Sequence, residues 1–186
     1  MSVGSGLHVG EIKCLVSRFV DNVRWLGVFA RDELPNLSRE IRPCCLILNT
    51  TPKDQPWTHW LALYAPSARS IVLFDSFGFY PSMYSLDLLD LLHLSYSLQS
   101  PSTSVCRHYC IVYIYLCSHN FSLYDIFDLL TDISNRDEWL KQYIYNMQIR
   151  LRILNPCHRT GQHGLSFIHC NCHVIVIHCK LQCQFC

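Results

Sequence analysis

Apolar positions recur at helical spacing over residues 9–23. Ile12, Leu15, Val16, Phe19, Val20 and Val23 share one face, and Glu11, Lys13, Arg18 and Asp21 the other, which predicts an amphipathic helix. Residues 25–35 lose this period, and Gly27 and Pro35 mark the stretch as irregular chain. Three short apolar runs follow, at Cys44–Asn49, Thr58–Tyr64 and Ser70–Asp75, separated by turn-rich segments at Thr51–Pro56 and Ala65–Arg69. Consecutive strands with such short connections pair as an antiparallel meander. Residues 83–92 look helical, and residues 93–99 alternate enough for a further strand.

A polar loop, Gln99 to Val105, then runs into the apolar stretch Cys106–Leu116, with a cysteine at the junction. Two more segments have helical period: Leu123–Thr131, preceded by a capping Ser122, and Asp137–Leu151, capped by Asn135. The expected fold class is α+β, a small, mostly antiparallel sheet flanked by helices.

The length of 186 residues suits one domain with a tail. Half the residues are hydrophobic and only 16% are charged, which excludes a disordered chain, and a formal charge of +1 makes no electrostatic case for nucleic acid. The first residues carry no basic run followed by a long apolar one, and no stretch approaches a membrane span, so the expected setting is an intracellular reducing compartment without a membrane partner. Its twelve cysteines are then read as thiols. Five of them, Cys170, Cys172, Cys179, Cys183 and Cys186, crowd the end, so residues 1–155 are taken as the domain and 156–186 as a Cys/His-rich extension. The tail has enough ligands for zinc, but Cys-x-Cys is not the usual Cys-x-x-Cys knuckle, and neither metal nor cofactor is called for.

Cys106 is the candidate nucleophile. The first N–H groups of a helix lack intrahelical acceptors and carry the positive end of its dipole, which favours the thiolate. His59 on one expected strand and Asp75 at the end of the next can meet if the strands pair antiparallel, as an imidazole and its orienting carboxylate must. Gln99, seven residues before the cysteine, can aim a side-chain N–H at a developing oxyanion beside the backbone N–H of Cys106. Each residue also has a plainer role open to it: a core thiol for Cys106, a structural or surface imidazole for His59, a strand end for Asp75 and loop surface for Gln99. His108 is a poor base for Cys106, because positions two apart on a helix diverge. Cys110 and Cys117 fall near the buried stripe of the same helix, and with Cys44 and Cys45 they are read as core.

The joint pattern of His59-Trp60, Asp75 before Ser76-Phe77-Gly78-Phe79, Gln99, and Cys106 at a helix start resembles the adenovirus-type, adenain-like cysteine proteases. The SUMO-deconjugating proteases share the order of the four residues but usually lack the Phe-Gly-Phe segment. Trp25-Leu-Gly-Val and Leu48-Asn-Thr extend the likeness over residues 9–155. The resemblance implies a papain-like catalytic architecture with histidine before cysteine in the chain. It implies His59 as base, Asp75 as orienter, Gln99 as oxyanion donor and Cys106 as nucleophile, with Trp60 beside the site. It implies a cysteine endopeptidase acting on polypeptide precursors such as capsid proteins of a virus or virus-like DNA transposon, in a nucleus or virion, with peptide or DNA activation known in the family. A catalytically inactive relict or binding module and a ubiquitin-like isopeptidase are the alternatives. Two positions depart from the family. Arg107 stands where it has glycine after the nucleophile, and Trp57 stands two residues before His59, so that Trp57, Trp60 and Arg107 are taken together as substrate-side residues. No cysteine lies between Cys45 and Cys106, which disfavours a disulfide-linked activator of the adenovirus kind.

Overall fold

A fully buried strand, Cys44–Asn49, runs through the centre of the protein's first half, and the other strands assemble outward from it. The computed structural model describes residues 7–86 and 91–154, with side chains as far as 149. Within them lie helix α1 (Val9–Phe19), strands β1 (Arg24–Phe29), β2 (Cys44–Asn49), β3 (Trp60–Ser67), β4 (Ser70–Phe74) and β5 (Leu91–His93), and helices α2 (Cys106–Ser118), α3 (Leu123–Thr131) and α4 (Arg136–Leu154). The part up to Ile149 is one compact unit, separate from Arg150–Cys186. The tail from residue 156 lies outside the described residues.

The sheet order among the described residues is β1-β2-β3-β4-β5. As expected, β2, β3 and β4 form an antiparallel meander, with Asn49 opposite Trp60 and Ala62 opposite Phe74. The outer pairings correct the expectation of a mostly antiparallel sheet: β1 lies parallel to β2 and β5 parallel to β4, so the sheet is mixed. The cause is in the connections. Residues 30–43 return the chain through two short 3₁₀ turns before β2 begins, and a 3₁₀ turn at Pro81–Tyr84 starts the return to β5. Such crossovers, unlike tight hairpins, leave successive strands pointing the same way.

Where irregular chain is expected, β1 is found. The register shifts between Trp25 and Gly27, and Gly27 sits at φ 131, so a bulge breaks the period-2 alternation that marks a strand. The helix expected at 83–92 is replaced by the 3₁₀ turn, which stops at Ser85 in a left-handed conformation, φ 54; residues 87–90 lie outside the described residues. The strand expected at 93–99 amounts to β5 alone, and the chain continues without ladder pairing.

Helix α1 ends at Phe19 because Val20 turns extended, φ −109 and ψ 102, and leads into β1. Helix α3 has the cap its sequence calls for: Ser122 Oγ accepts from Asp125 N at 3.2 Å, and Ser122 N donates to Asp125 Oδ2 at 2.9 Å. Before α4, Asn135 adopts φ 50 and its carbonyl accepts from Trp139 N. Helix α2 is apolar almost all round and is buried from Tyr109 to Ser118, packed on β3 and flanked by α1 and α3. Phe74 at the end of β4 stacks on Tyr113 of α2, centroids 4.5 Å apart and planes at 11°, which fixes the helix against the sheet. That contact aims the N-terminus of α2 at the end of the β3–β4 hairpin.

Candidate functional site

His59 immediately precedes β3 and Asp75 immediately follows β4, so antiparallel pairing puts them at the same end of one hairpin. The backbone of His59 is held there by β2: its carbonyl accepts from Thr50 N at 3.0 Å and from Asn49 Nδ2 at 2.9 Å. Asn49 is fully buried, and its Oδ1 accepts from Thr51 N and Thr51 Oγ1, so every polar atom of its amide oxygen side is used in shaping this turn. The His59 ring packs flat on Phe77, centroids 4.8 Å apart, and its Nε2 lies 2.7 Å from Asp75 Oδ1.

Asp75 is buried, yet its carboxylate is well supplied with donors. Oδ1 also accepts from Phe77 N at 2.9 Å, and Oδ2 accepts from Phe79 N at 3.1 Å and from Tyr84 Oη at 2.7 Å. Burial alone would raise its pKa, but the bonds and charge of His59, with Tyr84 and Phe77 N, hold it below the ordinary carboxylate value. The donors from Phe77 and Phe79 exist because the chain turns sharply at Gly78, φ 69. A Cβ there would fall 2.6 Å from the backbone of Tyr96, a clash any other residue would bring.

Burial also opposes a charge on His59, but hydrogen bonds with Asp75 and Cys106 outweigh it and push the imidazole pKa up to about 9. With Nε2 committed to Asp75, Nδ1 is the nitrogen left to face the Cys106 thiol. Cys106 opens α2, preceded by Val105 as an N-cap without a side-chain bond, and is buried, at 7% exposure. Its own N–H belongs to the first turn, where no intrahelical acceptor exists.

Gln99 lies beside this turn, 2% exposed, with both ends of its amide engaged. Oε1 accepts from Ser76 Oγ at 2.8 Å and Nε2 donates to Thr103 O at 2.7 Å. An amide nitrogen carries two hydrogens, so one remains for a ligand. The loop is docked by its backbone too, since Leu98 N and Gln99 N both donate to Ser76 O at 2.9 Å. The structure thus sets the open end of the β3–β4 hairpin, with His59 and Asp75, against the loop and helix start that carry Gln99 and Cys106.

The flanking residues are disposed differently. Trp60 is fully buried, edge-on to Trp57 at 5.1 Å between centroids, and forms a wall of the core beneath the site. The Arg107 guanidinium lies 4.9 Å over the Trp60 ring and donates to Leu7 O. It therefore fastens the chain just before α1 to the start of α2. His108 is pushed down to about 4 by burial and by the charges of Lys141 and Arg107, and is a neutral core residue. Burial raises the Cys110 thiol well above its usual range, and its Sγ donates to Trp60 O at 3.4 Å. Sequence reasoning missed Tyr84, Ser76, Asn49 and Asp137 as site residues. Ser76, inside the Asp-Ser-Phe-Gly run, and Asn49, inside Leu48-Asn-Thr, each lay in a stretch that carries the resemblance, without a role read for them. Among the described residues no cluster of His, Cys, Asp and Glu suits a metal ion, Cys14, Cys44, Cys45, Cys106, Cys110 and Cys117 are free thiols, and no helix is long and apolar enough to cross a membrane.

No protein-family model matches the chain. It is similar to curated proteins named Protease from adenoviruses. It is 28% identical over 112 residues to that of Porcine adenovirus A serotype 3, covering 49% of this chain and 54% of the relative. It is 24% identical over 155 residues to that of Bovine adenovirus 2, covering 71% and 75%. It is 25% identical over 136 residues to that of Human adenovirus B serotype 3, covering 62% and 65%. The chain thus spans about half the length of the porcine relative it matches. These distant relatives support the likeness to adenovirus proteases first carried by the residue pattern.

Proposed function

We propose that this chain is a cysteine endopeptidase of the adenovirus type, with Cys106 as nucleophile, His59 as acid and base, Asp75 as its orienting carboxylate and Gln99 as an oxyanion donor. The observation that carries this reading is the imidazole of His59 held between Asp75, at 2.7 Å, and the Cys106 thiol at a helix start. His59 takes the proton of the Cys106 thiol, and the bonds that raise its pKa favour the imidazolium so formed. The thiolate attacks the scissile carbonyl carbon, and the electrons displaced onto oxygen are met by Gln99 Nε2–H and the backbone N–H of Cys106. Collapse of this intermediate expels the amine, which takes its proton from His59. Neutral His59 then draws a proton from water as it attacks the thioester, and the acid product leaves Cys106 free again.

The substrate class is polypeptide, and the likeness to adenovirus proteases points to structural precursors of a virus or virus-like element. Trp57, packed on Trp60 next to His59, is then the flanking residue placed to act on specificity.

The test is iodoacetamide labelling at pH 6 of the full chain and of His59→Ala, with mass spectrometry locating the adduct, followed by cleavage of a mixed peptide library. The proposal expects fast, His59-dependent alkylation of Cys106 and cut peptides with new termini. Slow labelling shared among the cysteines would overturn it in favour of an inactive binding module. Selective labelling with turnover only on isopeptide-linked ubiquitin-like substrates would redirect it to an isopeptidase.

A further inference from the structure

Behind the loop that carries Gln99 sits Asp137, in the first turn of α4 and 7% exposed. Its two oxygens gather three donors from three places. Oδ1 accepts from Tyr109 Oη at 2.7 Å, while Oδ2 accepts from Ser100 N at 3.1 Å and from Thr103 Oγ1 at 2.6 Å. Tyr109 stands one turn along α2 from Cys106 and is fully buried. Ser100 and Thr103 close the turn between Gln99 and the nucleophile, with Thr103 N donating to Ser100 O at 3.1 Å. Thr103 is also the residue whose carbonyl takes the Gln99 amide proton. A single carboxylate therefore ties the Gln99 loop to the helix bearing Cys106.

We infer that Asp137 is a positioning residue for the oxyanion site: by clamping the Ser100–Thr103 turn to Tyr109, it fixes the carbonyl that sets which way the Gln99 amide faces. The inference rests on the reading of Gln99 as an oxyanion donor. Two short hydroxyl bonds, at 2.6 and 2.7 Å, and one backbone N–H bond to a single carboxylate make a rigid node, because charge-assisted bonds are the strong ones. Ser76 Oγ bonds the other end of the same amide, and since a hydroxyl can also accept, it is the Thr103 carbonyl, an acceptor only, that keeps Nε2 from exchanging places with Oε1. The Asp75–His59 pair has no part in this node, so the two halves of the site are held by separate carboxylates.

The distinguishing feature is which reactions depend on Asp137. Alkylation of Cys106 by iodoacetamide builds no oxyanion, whereas peptide hydrolysis does. The experiment compares the full chain with Asp137→Asn, Gln99→Ala and the double variant, measuring kcat and KM on a cleaved peptide, Cys106 alkylation rate, and the side-chain amide NMR signals of Gln99. Asp137→Asn is expected to lower kcat about 100-fold with KM and alkylation nearly unchanged, the scale of a misplaced transition-state donor. In the Gln99→Ala background it is expected to add less than about twofold, since both changes remove one interaction. Equal losses in both backgrounds, or alkylation falling in parallel with kcat, would overturn the inference. Should the wild-type chain cut no peptide, the enzymatic reading fails, and the NMR signals still decide this point. They should move in Asp137→Asn and stay put in Glu138→Gln, and unmoved Gln99 signals in Asp137→Asn would refute the clamp.

Discussion

Tyr84 donates its hydroxyl to Asp75 Oδ2 at 2.7 Å while its ring lies tilted over His59, centroids 5.8 Å apart. One aromatic residue thus touches both members of the acid–base pair. Tyr84→Phe keeps the ring and removes one of the donors that hold the carboxylate charged. The expected cost is about 1–2 kcal/mol in urea unfolding. Asp75 stays ionised wherever His59 titrates, and with one donor fewer its charge is less dispersed and holds the imidazolium more strongly, so the NMR midpoint of His59 should move up. An unchanged His59 midpoint would show that the Tyr84 bond has no bearing on the pair.

Asp75→Asn goes further. An amide offers His59 Nε2 one oxygen in place of a charged, multiply bonded carboxylate, and it can settle the wrong tautomer on the ring. A loss of about 10²–10⁴ in kcat is expected, with correct folding by circular dichroism, as for other orienting carboxylates beside a catalytic histidine. Retention of near-full peptidase activity would remove Asp75 from the proposed mechanism.

The pH dependence of stability follows from the same groups. The folded pKa of His59, about 9, stands above its ordinary 6.5, so its bonds contribute fully below 6.5 and fade as pH rises through 9. Asp75 has the opposite sign: its lowered pKa gives a contribution that is present above 3.8 and lost in acid. Urea unfolding at pH 6 and pH 10 should show the wild-type chain losing up to about 3 kcal/mol more than His59→Ala over that interval. On the rate side, peptide turnover should decline above about pH 9, when the leaving amine loses its acid.

Gly78→Ala places a methyl group 2.6 Å from the Tyr96 backbone at a residue of φ 69. Both steric and conformational terms oppose it, and a loss of about 2–4 kcal/mol is expected in denaturant unfolding. Because Ser76 and Tyr96–Gln99 are bonded across this contact, peptidase activity should fall more than stability alone accounts for.

Arg107→Ala removes the guanidinium from Trp60 and from Leu7 O. The expected effect is on stability, about 1–2 kcal/mol measured by thermal melting, with Cys106 alkylation within about twofold of the wild type. A large rise in alkylation or turnover would mean that Arg107 obstructs the thiol after all.

The elements legible in the sequence are those whose signals are local. Periodicity located α1, α3 and α4, apolar runs located α2 and β2 to β4, and the short turn-rich links gave the antiparallel meander. Strand β1 was hidden by the bulge at Gly27, and β5 by its three-residue length and partial exposure. Parallel pairing at both edges had no local signature at all, because it depends on where long connections return the chain. The candidate site divides the same way. His59, Asp75, Gln99 and Cys106 stood out by type and order, and the fold brings them together. Asp137 did not, since its partners Ser100, Thr103 and Tyr109 lie 28 to 37 positions away in sequence. Arg107, taken as a substrate-side residue, has an aromatic face and a carbonyl for partners, which no spacing rule foretells.

His59 and Asp75 belong to one hairpin and are separated by only 16 positions, whereas Cys106 arrives on a helix that docks on β3 from beyond the sheet. A short loop closes at little entropic cost, and a long one closes later. During folding, the imidazole and carboxylate can pair before any sulfur is opposite them. On the proposed mechanism, a newly made chain then has no imidazole beside Cys106 until α2 has seated. The alkylation rate of Cys106, followed in time after dilution from denaturant, then serves as a clock for the last docking event.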